Sequence, residues 1–258
     1  MSAALTTDHL AAFDRDGYAL LPGVFSAAEC DDILEHLERT AFELALGDAD
    51  DGPLSYRPMM HLASEPLLRV ATDPRWAGIV LPIVGPDARL YWEQGVAKPP
   101  QARTELPWHQ DNGYSPTIPE QYLTCWLALD HATAENGGLW VLPGSHRGGT
   151  VGHHAVAGSP FRATDAGDDP GVSVEVPKGG VLCFSSLILH RSGPNVTDRP
   201  RRSWILQYCP AHAVHARTGE LLDDRLRVSR DGAWLDEPVR ERPVDLRSIV
   251  ANYERDPA

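Results

Sequence analysis

The sequence predicts a mainly β fold of the α+β class: an all-β barrel or double-sheet jelly roll, with helices gathered at its N-terminal end. Three observations predict it. From about residue 88 the chain breaks into short β-rich runs separated by Gly, Pro, Asn and Asp, the pattern of sandwiches and barrels. Helix signals cluster before that point, and segregated helices and strands indicate α+β architecture. The 258 residues are 42% apolar, enough to bury a core in one large β or mixed domain. We expect a single domain over 1–258, with an N-terminal helical part to about 87, a jelly-roll core over about 88–215 and a C-terminal extension over 216–258.

In chain order, Asp16 to Phe25 predicts an entry strand ending in a Pro-Gly turn. Ser26 opens a helix, because Ser followed three residues later by Glu29 forms a capping box. Ile33, Leu34, Leu37, Phe42, Leu44 and Leu46 follow at helical spacing, and Gly47 stops the helix. Asp48 to Pro53 predicts an acidic loop. Short helices are expected near Glu65–Ala71 and Pro74–Val84. Strands are expected at Arg89–Ala97, Tyr122–Leu129, Leu139–Leu142, Val172–Val176, Gly180–Phe184 and Ser203–Cys209, and an amphipathic C-terminal helix at Val244–Tyr253.

Composition excludes several classes of function. With 36 acidic against 23 basic residues the formal net charge is −13, which disfavours nucleic acid and anionic membrane as partners. The longest apolar stretch, Val181–Leu189, is far short of the roughly 18 residues a membrane span needs. The first residues carry no basic-then-apolar pattern of a secretory signal. The four cysteines, at 30, 125, 183 and 209, form no CxxC pair, so neither a zinc site nor a disulfide framework is expected. A reducing cytoplasm is the expected compartment.

The informative segment is Pro107-Trp108-His109-Gln110-Asp111. On extended backbone side chains repeat every two residues, so His109 and Asp111 face one side and offer two adjacent corners of a metal site. His190, at the end of the run Val181–Leu189, is the best third ligand. Two His and one carboxylate on one face of an octahedron suit non-haem Fe(II) and oxygen chemistry. Alone, His-x-Asp also fits a histidine with a hydrogen-bonded neighbour. Downstream lies Arg201, 11 residues beyond His190. The far carboxylate of a dicarboxylate cosubstrate such as 2-oxoglutarate needs a planar, permanently charged partner, and Arg201 supplies one; Ser192 could add a hydroxyl. Arg201, Ser203, Ile205 and Gln207 share one strand face and Arg202 and Trp204 the other, so Arg201 and Arg202 cannot both point inward; spacing favours Arg201.

Here a resemblance becomes specific. Lys98-Pro99-Pro100, Trp108-His109-Gln110-Asp111, Trp126-Leu127-Ala128-Leu129-Asp130-His131, Asn136-Gly137-Gly138-Leu139-Trp140-Val141-Leu142-Pro143-Gly144-Ser145-His146 and His190-Arg191-Ser192-Gly193…Arg201 resemble, in order, the phytanoyl-CoA dioxygenase family of Fe(II)/2-oxoglutarate oxygenases. The resemblance covers most of residues 10 to 215. It implies a double-stranded β-helix, a cupin-like jelly roll, with N-terminal helices packed on one sheet. It implies iron held by His109, Asp111 and His190, and 2-oxoglutarate held by Arg201 and Ser192 in a pocket lined by Gln94, Lys98 and Trp126. The implied reaction consumes O₂, releases succinate and CO₂, and hydroxylates an unactivated C–H bond of a small metabolite or natural-product intermediate. Halogenating relatives replace the carboxylate with a small residue, so Asp111 implies hydroxylation or a related oxidation. The rival is a metal-binding, cupin-like isomerase or binding protein that does no oxidation and has no need of Arg201.

Substrate contacts are expected from the loop after Asp111, with Asn112 and Tyr114, from Tyr91, and from Arg57, Met59 and His61 in the N-terminal part; Met59 and Met60 could equally fill core gaps. No cluster of Lys and Arg presents itself for the phosphates of a CoA ester. His146 is expected to be structural, His153-His154 to occupy a surface loop, His131 and Asp130 to bond the following turn, and His212 and His215 to be exposed.

Overall fold

The computed structural model describes residues 4–43, 55–157 and 161–244. Helix α1 (Thr7–Asp16) opens the chain, followed by β1 (Tyr18–Leu21) and α2 (Ala27–Glu43). Then come β2 (Ser55–Pro58), α3 (Glu65–Ala71) and α4 (Ala77–Val84). Strands follow: β3 (Ala88–Lys98), β4 (Leu106–His109), β5 (Thr117–Ile118), β6 (Leu123–Ala128), β7 (Leu139–Val141), β8 (His154–Ala155) and β9 (Arg162–Ala163). The remainder are β10 (Val172–Val174), β11 (Val181–Ser185), β12 (His190–Ser192), β13 (Arg201–Pro210), β14 (Val214–His215), β15 (Leu226–Arg230) and β16 (Ala233–Val239).

Two antiparallel sheets face each other. The larger runs β1-β11-β6-β13-β3-β15-β16, with β2 also paired to β3; the smaller runs β10-β7-β12-β4. This is the expected jelly roll, and strand periodicity explains its layers. On β6, Cys125 and Leu127 pack outward with Leu37, Leu67 and Ile79 of the helices, whereas Trp126 and Ala128 pack inward with Leu139 and Val141 of the smaller sheet. On β13, Trp204, Leu206 and Tyr208 join the helix side. The helices therefore cover the outer face of the larger sheet, and the inner face is free to build a site.

The Ser26–Glu29 capping box forms, with Glu29 accepting from the Ser26 amide (2.8 Å) and Ser26 Oγ accepting from the Glu29 amide (3.2 Å). Two features depart from expectation. Helix α1 is capped by Thr6, with His9 at the third helical position taking the role of the usual Glu or Gln. The C-terminal extension contributes the hairpin β15–β16, which docks on β3 through Leu226↔Leu90. Phe42's side chain, Leu44, Leu46, Gly47 and the 48–53 loop lie outside the described residues, as does the expected Val244–Tyr253 helix beyond Val244. Among the described residues, no helix is long and apolar enough to cross a membrane.

Candidate metal centre and active site

Strands β4 and β12 are neighbours, and His109 and His190 stand directly opposite each other in their ladder. Their rings lie 4.1 Å apart. After His109 the chain turns at once into a short 3-10 turn, Asp111–Gly113, which brings Asp111 beside both rings. Its Oδ1 lies 3.5 Å from His190 Nε2 and 3.9 Å from His109 Nε2, and the three ligand atoms sit within 4.8 Å of one another. Among the described residues this is the only such cluster of three His, Cys, Asp or Glu side chains.

The donors are prepared for a cation. His109 Nδ1 donates to the Pro107 carbonyl (2.8 Å) and His190 Nδ1 to the Ile188 carbonyl (3.1 Å), each two residues upstream. A carbonyl only accepts, so the proton is assigned to Nδ1 and the Nε2 lone pairs face Asp111. Burial, reinforced by the His190 ring, holds the His109 imidazole well below its ordinary pKa and therefore neutral. Burial opposes the charge on Asp111, but its surroundings, the Thr124 hydroxyl among them, outweigh it and keep the carboxyl below the usual range. The other Asp111 oxygen, Oδ2, accepts from Thr124 Oγ1 (2.6 Å) and Gln207 Nε2 (2.9 Å). One oxygen is tied and the other is free to ligate. The set fits a divalent ion of the Fe(II) type.

Behind the triad lies a pair of buried cations. Arg201 donates to Ser203 Oγ (3.1 Å) and to the Gly137 carbonyl (2.9 Å), and its guanidinium lies over Trp126 at 5.5 Å. Lys98 Nζ donates to Ser192 Oγ (3.0 Å) and to the Gly193 carbonyl. No carboxylate among the described residues lies within ion-pair distance of either. Burial pulls Arg201 down to about 10, and burial together with Arg201 pulls Lys98 down to about 7. Two buried cations without a counter-anion are costly, and a bound carboxylate would relieve them. Arg202 points the other way, to Asp130 (2.7 Å).

The Asn136-Gly137-Gly138 run has a physical basis here. Gly137 has φ +81°, and a Cβ there would lie 2.5 Å from Lys98 Cδ; its carbonyl is the one that holds Arg201. A Cβ on Gly138 would lie 2.6 Å from the Thr133 carbonyl.

Triad and Arg201 line one cavity of about 850 Å³. Gln94, Trp126 and Ser192 also line it, as do Tyr91 and Tyr114; Lys98 sits behind Ser192 rather than on the wall. Tyr91 reaches the cavity beside Trp92 because it is a bulge residue: Trp92 pairs with Gln207 and Leu90 with Tyr208, leaving Tyr91 unpaired.

Four expected substrate residues are not on this wall. Asn112 is buried and shapes the loop, donating to Thr150 Oγ1 (2.7 Å) and accepting from the Thr117 amide (3.0 Å). Arg57 is buried on β2 opposite Gly95. Met59 packs behind Tyr91 and Trp92 as a core filler. His61 is committed to Glu93, through its amide (2.8 Å) and Nδ1 (3.1 Å).

Of the other histidines, His212 and His146 are as expected, and His215 and His153 are not. His215 lines the cavity, whereas His212 is exposed. Nε2 of His153 accepts from the Gln110 amide (2.8 Å), bracing the metal loop. A Cβ on Gly113 would lie 2.3 Å from that ring. His146 is structural, accepting nothing from the cavity and contacting the Asp14 carbonyl at 3.2 Å. Asp130 pairs with Arg202 rather than with the following turn.

Sequence reasoning missed Thr124 as a partner of Asp111, and it placed Gln207 only on Arg201's strand face. It also missed a gathering of arginines. Dispersed along the chain, Arg162, Arg217, Arg225 and Arg242 all line the same cavity.

The model of the family described as Phytanoyl-CoA dioxygenase (PhyH) matches residues 13–203. The ectoine dioxygenase of Stutzerimonas stutzeri is 26% identical, over 95% of this chain and 88% of its own. The methylphosphonate hydroxylase of Gimesia maris is 30% identical, over 81% of this chain and 82% of its own. Among solved structures, the epimerase SnoN in complex with Fe3+, alpha ketoglutarate and nogalamycin RO is 26% identical, with a TM-score of 0.67 over 92% of this chain and 94% of its own.

Proposed function

The chain belongs to the phytanoyl-CoA dioxygenase family, and on that premise we propose that it is an Fe(II)- and 2-oxoglutarate-dependent dioxygenase. The proposed reaction is hydroxylation of an unactivated C–H bond in a small metabolite or natural-product intermediate, with release of succinate and CO₂. The observation that carries this reading is a two-histidine, one-carboxylate cluster sharing one cavity with buried Arg201, with Lys98 behind Ser192 and no carboxylate among the described residues within ion-pair distance of either cation. Related proteins oxidise small molecules, as the names ectoine dioxygenase and methylphosphonate hydroxylase state. A cavity whose lining runs from Tyr56 to Val244 supports treating the chain as one catalytic domain.

His109, Asp111 and His190 would hold the metal. Bound ferrous iron, with 2-oxoglutarate and O₂, supplies the oxidising power. The chain's own residues do the placing. Arg201 offers a planar fork to the far carboxylate of the cosubstrate, Lys98 adds a second charge through the same corner, and Ser192 lies between them. Gln94 and Trp126 flank the cosubstrate on the wall. Thr124 and Gln207 keep Asp111 from rotating. The aromatic wall of Tyr91, Trp92 and Tyr122 excludes water around the substrate.

The test is anaerobic addition of Fe(II) and then 2-oxoglutarate, watching for the visible metal-to-ligand charge-transfer band, followed by a metabolite panel scored by succinate release. A band that disappears in His190→Ala supports the reading. Fe(II) binding with no band and no succinate would reject it in favour of a metal-binding isomerase or binding protein.

A further inference from the structure

Beyond the triad, the cavity changes character. Tyr114 stands edge-on to His109 at 5.4 Å, and its hydroxyl accepts from the Arg162 amide (2.9 Å) and donates to the Arg162 carbonyl (3.2 Å). One tyrosine side chain therefore separates a candidate metal ligand from the start of β9. Phe161 and Tyr56 meet edge to face at 6.1 Å on the same wall, and Tyr91 and Tyr122 meet at 5.1 Å. These rings give flat apolar walls.

The charges on that wall are unbalanced. Besides Asp111 the lining carries two acids, Glu220 and Asp224, against five arginines, those four and Arg201, in a chain whose net charge is −13. Arg225 is matched by Asp224 (2.7 Å) and Arg242 by Asp223 (2.9 Å). Arg162 is half-buried and is held by a backbone carbonyl, that of His153, at 3.3 Å. No carboxylate among the described residues lies within ion-pair distance of it.

The geometry points to Arg162 as the anchor for an acidic group of the substrate, and so to a substrate class: a flat, aromatic molecule bearing a carboxylate or phosphate. This rests on the oxygenase reading for its chemistry, though not for its binding. A guanidinium in a half-buried, ring-walled chamber prefers a planar or tetrahedral oxyanion, which it grips with parallel N–H donors. The position suits an anchor, because Arg162 is joined to the metal loop twice. Tyr114 is one link. The other runs from Arg162 to the His153 carbonyl and from the His153 ring to the Gln110 amide, between His109 and Asp111. An acid seated on Arg162 would register the substrate against the metal. A purely structural Arg162 would be a strut for the segment over that loop. Both roles tolerate truncation poorly, but only the anchor distinguishes an acid from its uncharged analogue.

The experiment titrates 2-naphthoate, 2-naphthyl phosphate and uncharged 2-naphthylmethanol by calorimetry. It uses the anaerobic Fe(II)/2-oxoglutarate holoprotein and, in parallel, the metal-free protein. At least one acid is expected to bind about tenfold or more tightly than the alcohol, and whichever acid is preferred tells carboxylate from phosphate. Arg162→Gln is expected to bring acid and alcohol to within about threefold. Arg162→Lys, which keeps charge and loses the fork, should weaken the acid several-fold and leave the alcohol unchanged, and it carries the test should Arg162→Gln not fold. The assignment is overturned if the alcohol binds as well as both acids, if none of the three binds at millimolar concentration, or if acid affinity is the same in the variants. A missing charge-transfer band with acid preference intact in the metal-free arm rejects the oxygenase and leaves the anchor standing; the converse rejects the anchor alone.

Discussion

Thr124 and Gln207 are cross-strand partners on β6 and β13, and both donate to the same oxygen of Asp111. The carboxylate is thus oriented by the sheet opposite the strands that carry the histidines. Outer contacts of this kind typically hold a tenfold to hundredfold share of metal affinity. Gln207→Ala is expected to weaken Fe(II) binding by about that factor and Thr124→Ala to weaken it in the same direction, as read from metal titration of the folded variants.

Arg201 is buried and its guanidinium has no acidic partner among the described residues, so its removal should act on the cosubstrate. In Arg201→Ala, the 2-oxoglutarate concentration at half-maximal charge-transfer absorbance should rise by about 30-fold or more, with Fe(II) affinity unchanged. An unchanged midpoint would show that the far carboxylate is held elsewhere.

Lys98 predicts a pH dependence. Burial and Arg201 hold it down to about 7, so in the free protein it loses its proton as pH rises through that value. A bound carboxylate favours the ammonium form and raises that pKa, so binding above about pH 7 takes up a proton. The Kd for 2-oxoglutarate should therefore be flat below the lysine's depressed value and rise by up to about tenfold per pH unit above it. Lys98→Met should flatten the profile.

Glu93 tests the outer layer. Its buried carboxylate accepts from the His61 amide, His61 Nδ1 and Trp204 Nε1 (2.5 Å). Glu93→Ala leaves these donors unpaired inside the protein and should cost about 3–5 kcal/mol in urea unfolding. Fe(II) affinity of the remaining folded fraction should be unchanged, since none of the three touches the triad.

The legible part of the molecule was the part written by short-range rules. Alternation along β6, β11 and β13 gives both the layers and the inward direction of Arg201, and the box at Ser26 gives the start of α2. His109 and Asp111 were readable because a two-residue spacing fixes their shared face; His190 needed only a strand end. Helix α1 was not readable, because an imidazole replaces the usual carboxylate or amide of its capping box. The hairpin β15–β16 was hidden because alternation in β15 is confined to Leu226 and Val228 and the mostly exposed β16 shows none; it is held by pairing to β3, which only the fold supplies. Substrate contacts were least legible. Met59 and His61 lie close in sequence to cavity residue Tyr56, yet packing behind Tyr91 and the Glu93 network remove them from the wall.

The cavity draws its two ends from different kinds of chain. The two histidines and Arg201 ride on paired strands, with Asp111 in the turn directly after β4, whereas His215, Arg217, Arg225 and Arg242 come from the stretch after β13, where turns and short pairings predominate. Mutational drift in that tail can therefore exchange one guest molecule for another while the oxidising apparatus stays untouched, which makes residues 214–244 the place to graft when a new selectivity is sought.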